Sequence, residues 1–226
     1  MKRILLSWSS GKDSAWALHA LRSDARIEVC GLLTTLNEKF QRVAMHGTRR
    51  SVLEAQARAA GLSLWTVPLP WPCSNDAYEA RMSEVCGRAV AEGMEAVAFG
   101  DLFLEDVRAY REKQLLATGL EPLFPLWGMP TTELAREMIA GGLRARVTCV
   151  DPRVLPATFA GREFDGALLR DLPAGVDPCA ERGEFHTCAY AGPMFAETLG
   201  LEAGELLTRD GFVFADFEMV GAVRAV

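Results

Sequence analysis

The stretch Lys2-Arg-Ile-Leu-Leu-Ser-Trp-Ser-Ser-Gly-Lys-Asp-Ser14 limits what this chain can become more than any other. Its apolar run, residues 4–6, reads as a buried strand. The run breaks into small residues, and a helical pattern then opens at Asp13-Ser14 and carries Trp16, Leu18 and Leu21. Strand, small-residue loop and helix N-terminus together make an anion site, because loop and first-turn amides point at the ligand and the helix dipole favours negative charge. Lys12 adds a full positive charge, and Ser9, Ser10 and Ser14 add hydroxyl donors. A Walker A loop needs a glycine five residues before its Gly-Lys pair and Ser or Thr directly after the lysine. Leu6 and Asp13 stand at those places, which argues against a P-loop kinase or GTPase.

Strand and helix patterns go on alternating. Residues 27–35 read as a strand, and a helix follows over 51–60. Ser51-Val-Leu-Glu54 matches a capping box there and Gly61 supplies the stop, with a start one turn earlier, near Thr48, as the alternative. A strand over 62–67, a proline-rich loop over 68–72, a helix over 76–92 and a strand over 96–99 ending at Gly100-Asp101 come next. A helix over 104–118 and a short strand over 120–124 close the series. This order predicts an α/β fold with a doubly wound, five-stranded parallel sheet. Such sheets bind ligands beyond the carboxyl ends of their strands, where strand order reverses. If the first and fourth strands flank that point, residues 9–14 and Gly100-Asp101 face one crevice.

From Trp127 onward the rhythm changes. A helix over Thr131–Ala140, a strand over 146–150, a Pro/Gly-rich middle and an alternating run over 212–226 predict a second, smaller α+β domain. The expected division is 1–128 and 129–226. At 226 residues, 50% of them apolar, the chain can bury a sound core. No apolar run approaches the ~20 residues of a membrane helix, and the N-terminus has no signal-peptide pattern, so a cytoplasmic protein is expected. A formal net charge of -6 argues against nucleic acid, since Arg49-Arg50 is the best basic cluster and is short. Cys30, Cys73, Cys86, Cys149, Cys179 and Cys188 form no CxxC pair and read as reduced thiols.

The second dense motif is Asp177-Pro-Cys-Ala-Glu-Arg-Gly-Glu-Phe-His-Thr187. If Glu184 to Thr187 is extended, Glu184 and His186 share one face, an arrangement suited to a proton relay, a Mg²⁺ ligand set or recognition of a polar substrate. By composition alone the simpler reading is a turn with a buried, hydrogen-bonded histidine. His46, with Gly47 and Arg49, either reaches the crevice or sits in a surface loop; His19 reads as structural. Cys179 and Cys188 flank the motif as candidate thiols or as inert core residues.

The first motif resembles the SGGKDS loop of the PP-loop ATP pyrophosphatases, with Ser10 in place of the first glycine. In that family the loop holds the β,γ-phosphates of ATP, the α-phosphate stays open to attack, and the HUP-like sheet has strand order 3-2-1-4-5. Over nearly its full length the chain resembles the ATP-binding family that includes diphthine–ammonia ligase. The matching strings are Ser9-Ser-Gly-Lys-Asp-Ser14, Met45-His-Gly-Thr-Arg49, Gly100-Asp-Leu102, Glu105-Asp-Val-Arg108 and Pro125-Leu-Trp-Gly128. Phe164-Asp-Gly166, Glu181-Arg-Gly-Glu-Phe-His-Thr187 and Gly192-Pro-Met-Phe195 continue the set. In the family's ligase, ATP activates the carboxylate of diphthine on elongation factor 2 as an acyl-adenylate, and ammonia displaces AMP.

The resemblance implies a role for each matching position. Ser9, Ser10, Gly11 and Ser14 would cradle the pyrophosphate end of ATP, with Lys12 neutralising charge there. Asp13 would cap the helix or hold Mg²⁺ through water, and Gly100-Asp101 would face the nucleotide or the metal. Glu181, Glu184, His186 and Thr187 would meet the acceptor or the ammonia, and Arg108 the acceptor. Lys12, Asp13, Glu184 and His186 form the implied catalytic set. ATP, Mg²⁺, ammonia and a carboxylate acceptor of unstated identity are the implied ligands, and the tail over 219–226 offers a surface for a homodimer. Ser10 still supplies its N–H if φ stays negative. Ala191 stands where the family often has Asp, which bears on the acceptor. A tRNA-thiolating PP-loop enzyme would want paired catalytic cysteines and a basic face; a nucleotide-binding sensor without turnover is the non-enzymatic alternative.

Overall fold

A computed structural model describes residues 1–43 and 46–220. The first strand, β1 (Lys2–Ser7), leads into α1 (Lys12–Arg22), and β2 (Ile27–Asn37), β3 (Arg42–Val43) and α2 (Arg50–Ala60) follow. Then come β4 (Ser63–Leu69), α3 (Asn75–Ala91), β5 (Ala96–Ala98), α4 (Glu105–Leu115) and β6 (Glu121–Leu123). Parallel pairing puts β2 and β5 on either side of β1, β4 beyond β2 and β6 beyond β5. Counted without β3, this is the order 3-2-1-4-5, and the reversal falls between β1 and β5. The short β3 adds a sixth strand, antiparallel to the far end of β2. Ile4, Leu5 and Leu6 are all fully buried, since a parallel sheet covered on both faces needs a continuous apolar run rather than alternation.

Beyond residue 130 the chain forms α5 (Thr131–Ala140), β7 (Arg144–Val150), α6 (Gly166–Asp171), β8 (Phe185–Ala191), β9 (Leu201–Arg209) and β10 (Phe212–Met219). Their sheet runs β8-β7-β10-β9, antiparallel throughout. One apolar cluster runs from Ile4 and Leu6 through Trp8 and Leu18 into Leu134, Val147, Phe185 and Phe195, so the two sheets share a core. A second cluster, around Leu5, Trp65, Cys86 and Phe99, lies under α3.

Local departures from the sequence reading have local causes. The capping box does not form: Arg49 is the N-cap of α2, with no side-chain cap, and Ser51 lies inside the first turn. A bridge from Arg49 to Arg42 and an ion pair with Asp216 fix the entry to the helix instead. Gly61 does end α2, at φ +65°. Pro68 lies within β4 rather than in a loop, which an edge strand tolerates because the missing N–H breaks no second ladder. Of the matching strings, Met45 lies outside the described residues, as does the tail beyond Val220.

Candidate active site

Residues 9–14 leave β1 beside the second sheet, and β8 runs along them. Ala189 N donates to Ser10 O at 2.9 Å, Gln56 Nε2 donates to the same oxygen at 3.0 Å, and Lys12 N donates to Thr187 Oγ1 at 3.0 Å. The Thr187 hydroxyl therefore satisfies a first-turn amide that the N-cap Gly11 has no side chain to serve. His46 Nδ1 lies 3.1 Å from Thr187 O, and since a carbonyl only accepts, Nδ1 carries the proton. A Cβ on Gly11 would meet His46 Cε1 at 2.9 Å, so the glycine makes room for that imidazole. Across the crevice Gly100 packs on the same helix turn, where a Cβ would meet Asp13 C at 3.0 Å and Ser14 N at 3.1 Å.

Ser10 has φ +71°. The serine therefore takes the left-handed backbone of the glycine it replaces, against the negative φ anticipated for it. Its Oγ pairs with Thr48 Oγ1 at 2.6 Å; the residue is fully buried and lines neither of the two cavities described below. Ser9 and Ser14 do face the crevice, their hydroxyls 3.2 Å apart.

Lys12 turns inward. Its Nζ donates to Asp13 Oδ2 at 2.9 Å and to Cys179 O, and it sits against the rings of Phe164 and Phe185. Burial alone would lower its pKa, but Asp13, Cys179 and Glu181 hold it above the ordinary lysine value. Asp13 is also raised, because burial outweighs the attraction of Lys12, and its Oδ1 is buried without a hydrogen-bond partner. Asp101 repeats the pattern: burial raises its pKa against the pull of Arg111, and its Oδ2, 3.6 Å from Arg111 Nε, has no hydrogen bond. Glu181 Oε1 accepts from Leu102 N at 2.7 Å. Burial, offset in part by that amide and reinforced by Asp13 and Asp101, pushes Glu181 up to about 7.

Two adjoining cavities surround these groups. The smaller, about 230 Å³, is lined by Ser9, Lys12, Asp13, Ser14, Gly100, Asp101, Arg111, Glu181, His186 and Thr187, among others. The larger, about 790 Å³, opens over Leu33, Thr35 and Val97 between α3 and α4, and shares Ser9, His46, Phe99, Arg111 and His186 with the smaller. The crevice expected between the first and fourth strands is thus a pair of cavities at the carboxyl ends of β1, β2 and β5.

Residues 1–122 match the family described as the diphthamide synthase N-terminal domain, and residues 130–215 match the diphthamide synthase C-terminal domain. The chain belongs to the diphthamide synthase family. It is similar to the diphthine–ammonia ligase of Bos taurus, 26% identical over 160 residues, and to that of Mus musculus, 28% identical over 160 residues. Each alignment takes in 69% of this chain and 60% of the relative, so the chain spans less than two thirds of either relative. A solved structure from Methanocaldococcus jannaschii, described as a predicted subunit of tRNA methyltransferase, is 15% identical over 84% of this chain and 98% of that one, with TM-score 0.45.

Within this family frame, Ser9, Lys12, Asp13, Ser14, Gly100, Asp101, Glu181, His186 and Thr187 come together around the smaller cavity. Glu184 and Arg108 do not join them. Glu184 is buried, with Oε1 accepting from Asp177 N at 3.1 Å, and it stabilises its own turn. Arg108 pairs with Glu112 and lies over Phe124 and Trp127, each ring centroid 4.8 Å away. Arg111, three residues on, is the arginine that enters the crevice, and sequence reasoning missed it. Local spacing does not separate the two arginines: Leu115, the buried residue of α4, lies seven positions beyond Arg108 and four beyond Arg111 and so shares a face with both. Burial pushes the thiols of Cys179 and Cys188 up to about 12, which leaves neither as a ready nucleophile. Among the described residues, no group of three or more side chains is arranged to hold a metal, and no helix is long and apolar enough to cross a membrane.

Proposed function

We propose that this chain is an ATP-dependent ligase that adenylates a carboxylate, releases pyrophosphate and amidates the activated acyl group with ammonia. The observation that carries this reading is the small polar cavity at the N-terminus of α1, continuous with a larger one beyond β2 and β5. A helix N-terminus bearing Ser9 and Ser14 suits the β,γ-phosphates, and the larger, mostly apolar space suits a nucleoside. The names of its curated relatives support diphthine as the acceptor and ammonia as the nitrogen donor. On this reading residues 1–128 bind the nucleotide and 129–226 present the acceptor.

Chemically, an acceptor carboxylate oxygen attacks the α-phosphorus, and the bond to the bridging oxygen of pyrophosphate breaks. No protein nucleophile is required, only positioning and charge compensation. Ser9 and Ser14 hold the leaving pyrophosphate. Arg111, whose buried Nε lacks a hydrogen bond, supplies positive charge that Lys12 has already given to Asp13. Asp13 Oδ1 and Asp101 Oδ2 are buried carboxylate oxygens without a hydrogen bond, the second with only Arg111 at 3.6 Å, and so fit Mg²⁺ held in part through water. When bound, the metal would neutralise charge on the phosphates.

Incubation of the protein with ATP, ammonium and a diphthine-bearing acceptor should yield AMP and pyrophosphate in step with amide. ADP as product would redirect the chemistry to phosphoryl transfer, and no turnover with ATP bound would make the chain a sensor. Ser14→Ala should weaken ATP binding about tenfold, the loss of one charge-assisted hydrogen bond. It is a cleaner test than Lys12→Ala, which would strand a buried Asp13 and cost stability.

A further inference from the structure

The imidazoles of His46 and His186 face one another with ring centroids 4.5 Å apart and an interplanar angle of 43°. Both line both cavities, so the pair stands where the two meet. His46 spends its Nδ1 proton on Thr187 O, which leaves Nε2 with a free lone pair. Among the described residues no protein group hydrogen-bonds the His186 ring, which packs against the ring of His46. Burial holds both imidazoles neutral, His46 down to about 4 and His186 well below the ordinary histidine value. Around them the smaller cavity carries the carboxylates Asp13, Asp101 and Glu181, with Lys12 hydrogen-bonded to Asp13 and Arg111 3.6 Å from Asp101. A pair of neutral acceptors beside three carboxylates fits a small cation that is itself a hydrogen-bond donor, whereas the phosphates want the donors that Ser9, Ser14 and Arg111 bring to the same cavity.

We propose that the His46–His186 pair is the binding site for the nitrogen donor, captured from solution as ammonium. This rests on the ligase reading and deepens it. Ammonium enters the carboxylate-lined cavity and passes one proton to the Glu181 carboxylate. The nitrogen lone pair of the resulting ammonia then forms the C–N bond at the acyl carbon. The acyl C–O bond breaks, its electron pair leaving with AMP. Before that bond breaks, the second surplus proton passes from the tetrahedral adduct to Nε2 of His46 and on to water. The two imidazoles orient the nucleophile by accepting its N–H bonds, and Gly11 gives the first of them its room.

The chain has 3 histidines, so its imidazole ¹⁵N spectrum is sparse enough to read residue by residue. His19, stacked on Trp16 and lining neither cavity, is an internal control. Ammonium chloride titrated at fixed pH, with and without AMP, should shift the His46 and His186 nitrogens saturably and leave His19 unmoved. Potassium chloride at the same ionic strength should do neither, because K⁺ has no N–H to donate. His186→Phe, which keeps a ring and removes its acceptor, should weaken the ammonium-induced shift of His46 at least fivefold. Absence of a saturable shift, or an equal shift with potassium, would overturn the proposal. The AMP-versus-ADP product test reads the ligase step separately. AMP without an ammonium shift sinks only the subsite, and an ammonium shift with ADP as product sinks only the ligase reading.

Discussion

Ser10 is held at φ +71° by partners on its carbonyl and its hydroxyl. Its oxygen takes hydrogen bonds from Ala189 and Gln56, and its hydroxyl meets Thr48. Left-handed backbone costs a non-glycine residue about 1–2 kcal/mol. Replacement by alanine keeps that strain and loses the hydroxyl, whereas glycine loses the hydroxyl and relieves the strain. Urea denaturation should therefore rank Ser10→Gly about 1 kcal/mol more stable than Ser10→Ala. An equal or reversed ranking would mean that the loop is not strained at this position. Glu181 allows a pH test. Its pKa is raised to about 7, so the folded protein binds its proton more tightly than the unfolded chain does. The cost of the buried carboxylate is absent below the unfolded value near 4.5 and grows as pH rises through 7. Glu181→Gln keeps an acceptor for Leu102 and removes that cost. The variant should match wild type near pH 4 and exceed it near pH 8 by on the order of 1 kcal/mol, after discounting for partial exposure. Individual residues were read unevenly from the chain: Ser9, Ser14, Asp101 and His186 were picked out by their strings. His46 and Arg111 depend on which way a loop and a helix turn, which no local spacing states.

At the scale of elements, the crevice depends on three close approaches to α1. Thr187 on β8 serves the amide of Lys12, the end of β5 brings Gly100 onto the first turn, and Thr48, just before α2, meets Ser10. Gly100→Ala would press a Cβ into backbone atoms of Asp13 and Ser14 that cannot swing aside, at a cost of about 1–3 kcal/mol and with loss of ATP affinity. Differential scanning calorimetry and a nucleotide titration on the same variant check both halves. The hairpin of β9 and β10 adds a clip. Asp216 on β10 binds Arg42 Nη1 at 2.6 Å and Arg49 Nη2 at 2.5 Å, and so ties together both ends of the segment that carries His46. Burial pushes the Asp216 carboxyl up, but the two arginines win and bring it down to about 2. Its contribution is present above the unfolded value near 3.8 and is lost as pH falls through 2. Asp216→Asn should cost about 1–3 kcal/mol at neutral pH and nothing near pH 2, as followed by thermal melts. Strand–helix alternation was plain in the sequence because each element has its own apolar period and a glycine stop. The capping box at Ser51 misled because this distant clip, not the local string, sets where α2 begins.

At the scale of the whole molecule, the two sheets cannot be treated as separate bodies, since one apolar cluster passes through both. Trp8 and Phe195 meet across it at a centroid distance of 6.2 Å, and Gln56 joins α2 to Trp8 and to Ala189 on β8. Urea unfolding should accordingly be a single transition, with tryptophan fluorescence and far-ultraviolet circular dichroism giving coincident midpoints. Two resolved transitions would mean that 1–128 and 129–226 fold independently. The change of rhythm near Trp127 was legible, but the shared core was not, because pairing between distant segments leaves no periodic trace. The central claim concerns where ATP lies, and a crystal grown with a non-hydrolysable ATP analogue and Mg²⁺ addresses it directly. The β,γ-phosphates should sit against Ser9 and Ser14, with the base beyond them in the space between α3 and α4. A triphosphate found anywhere else, with these two cavities holding only solvent, would contradict it.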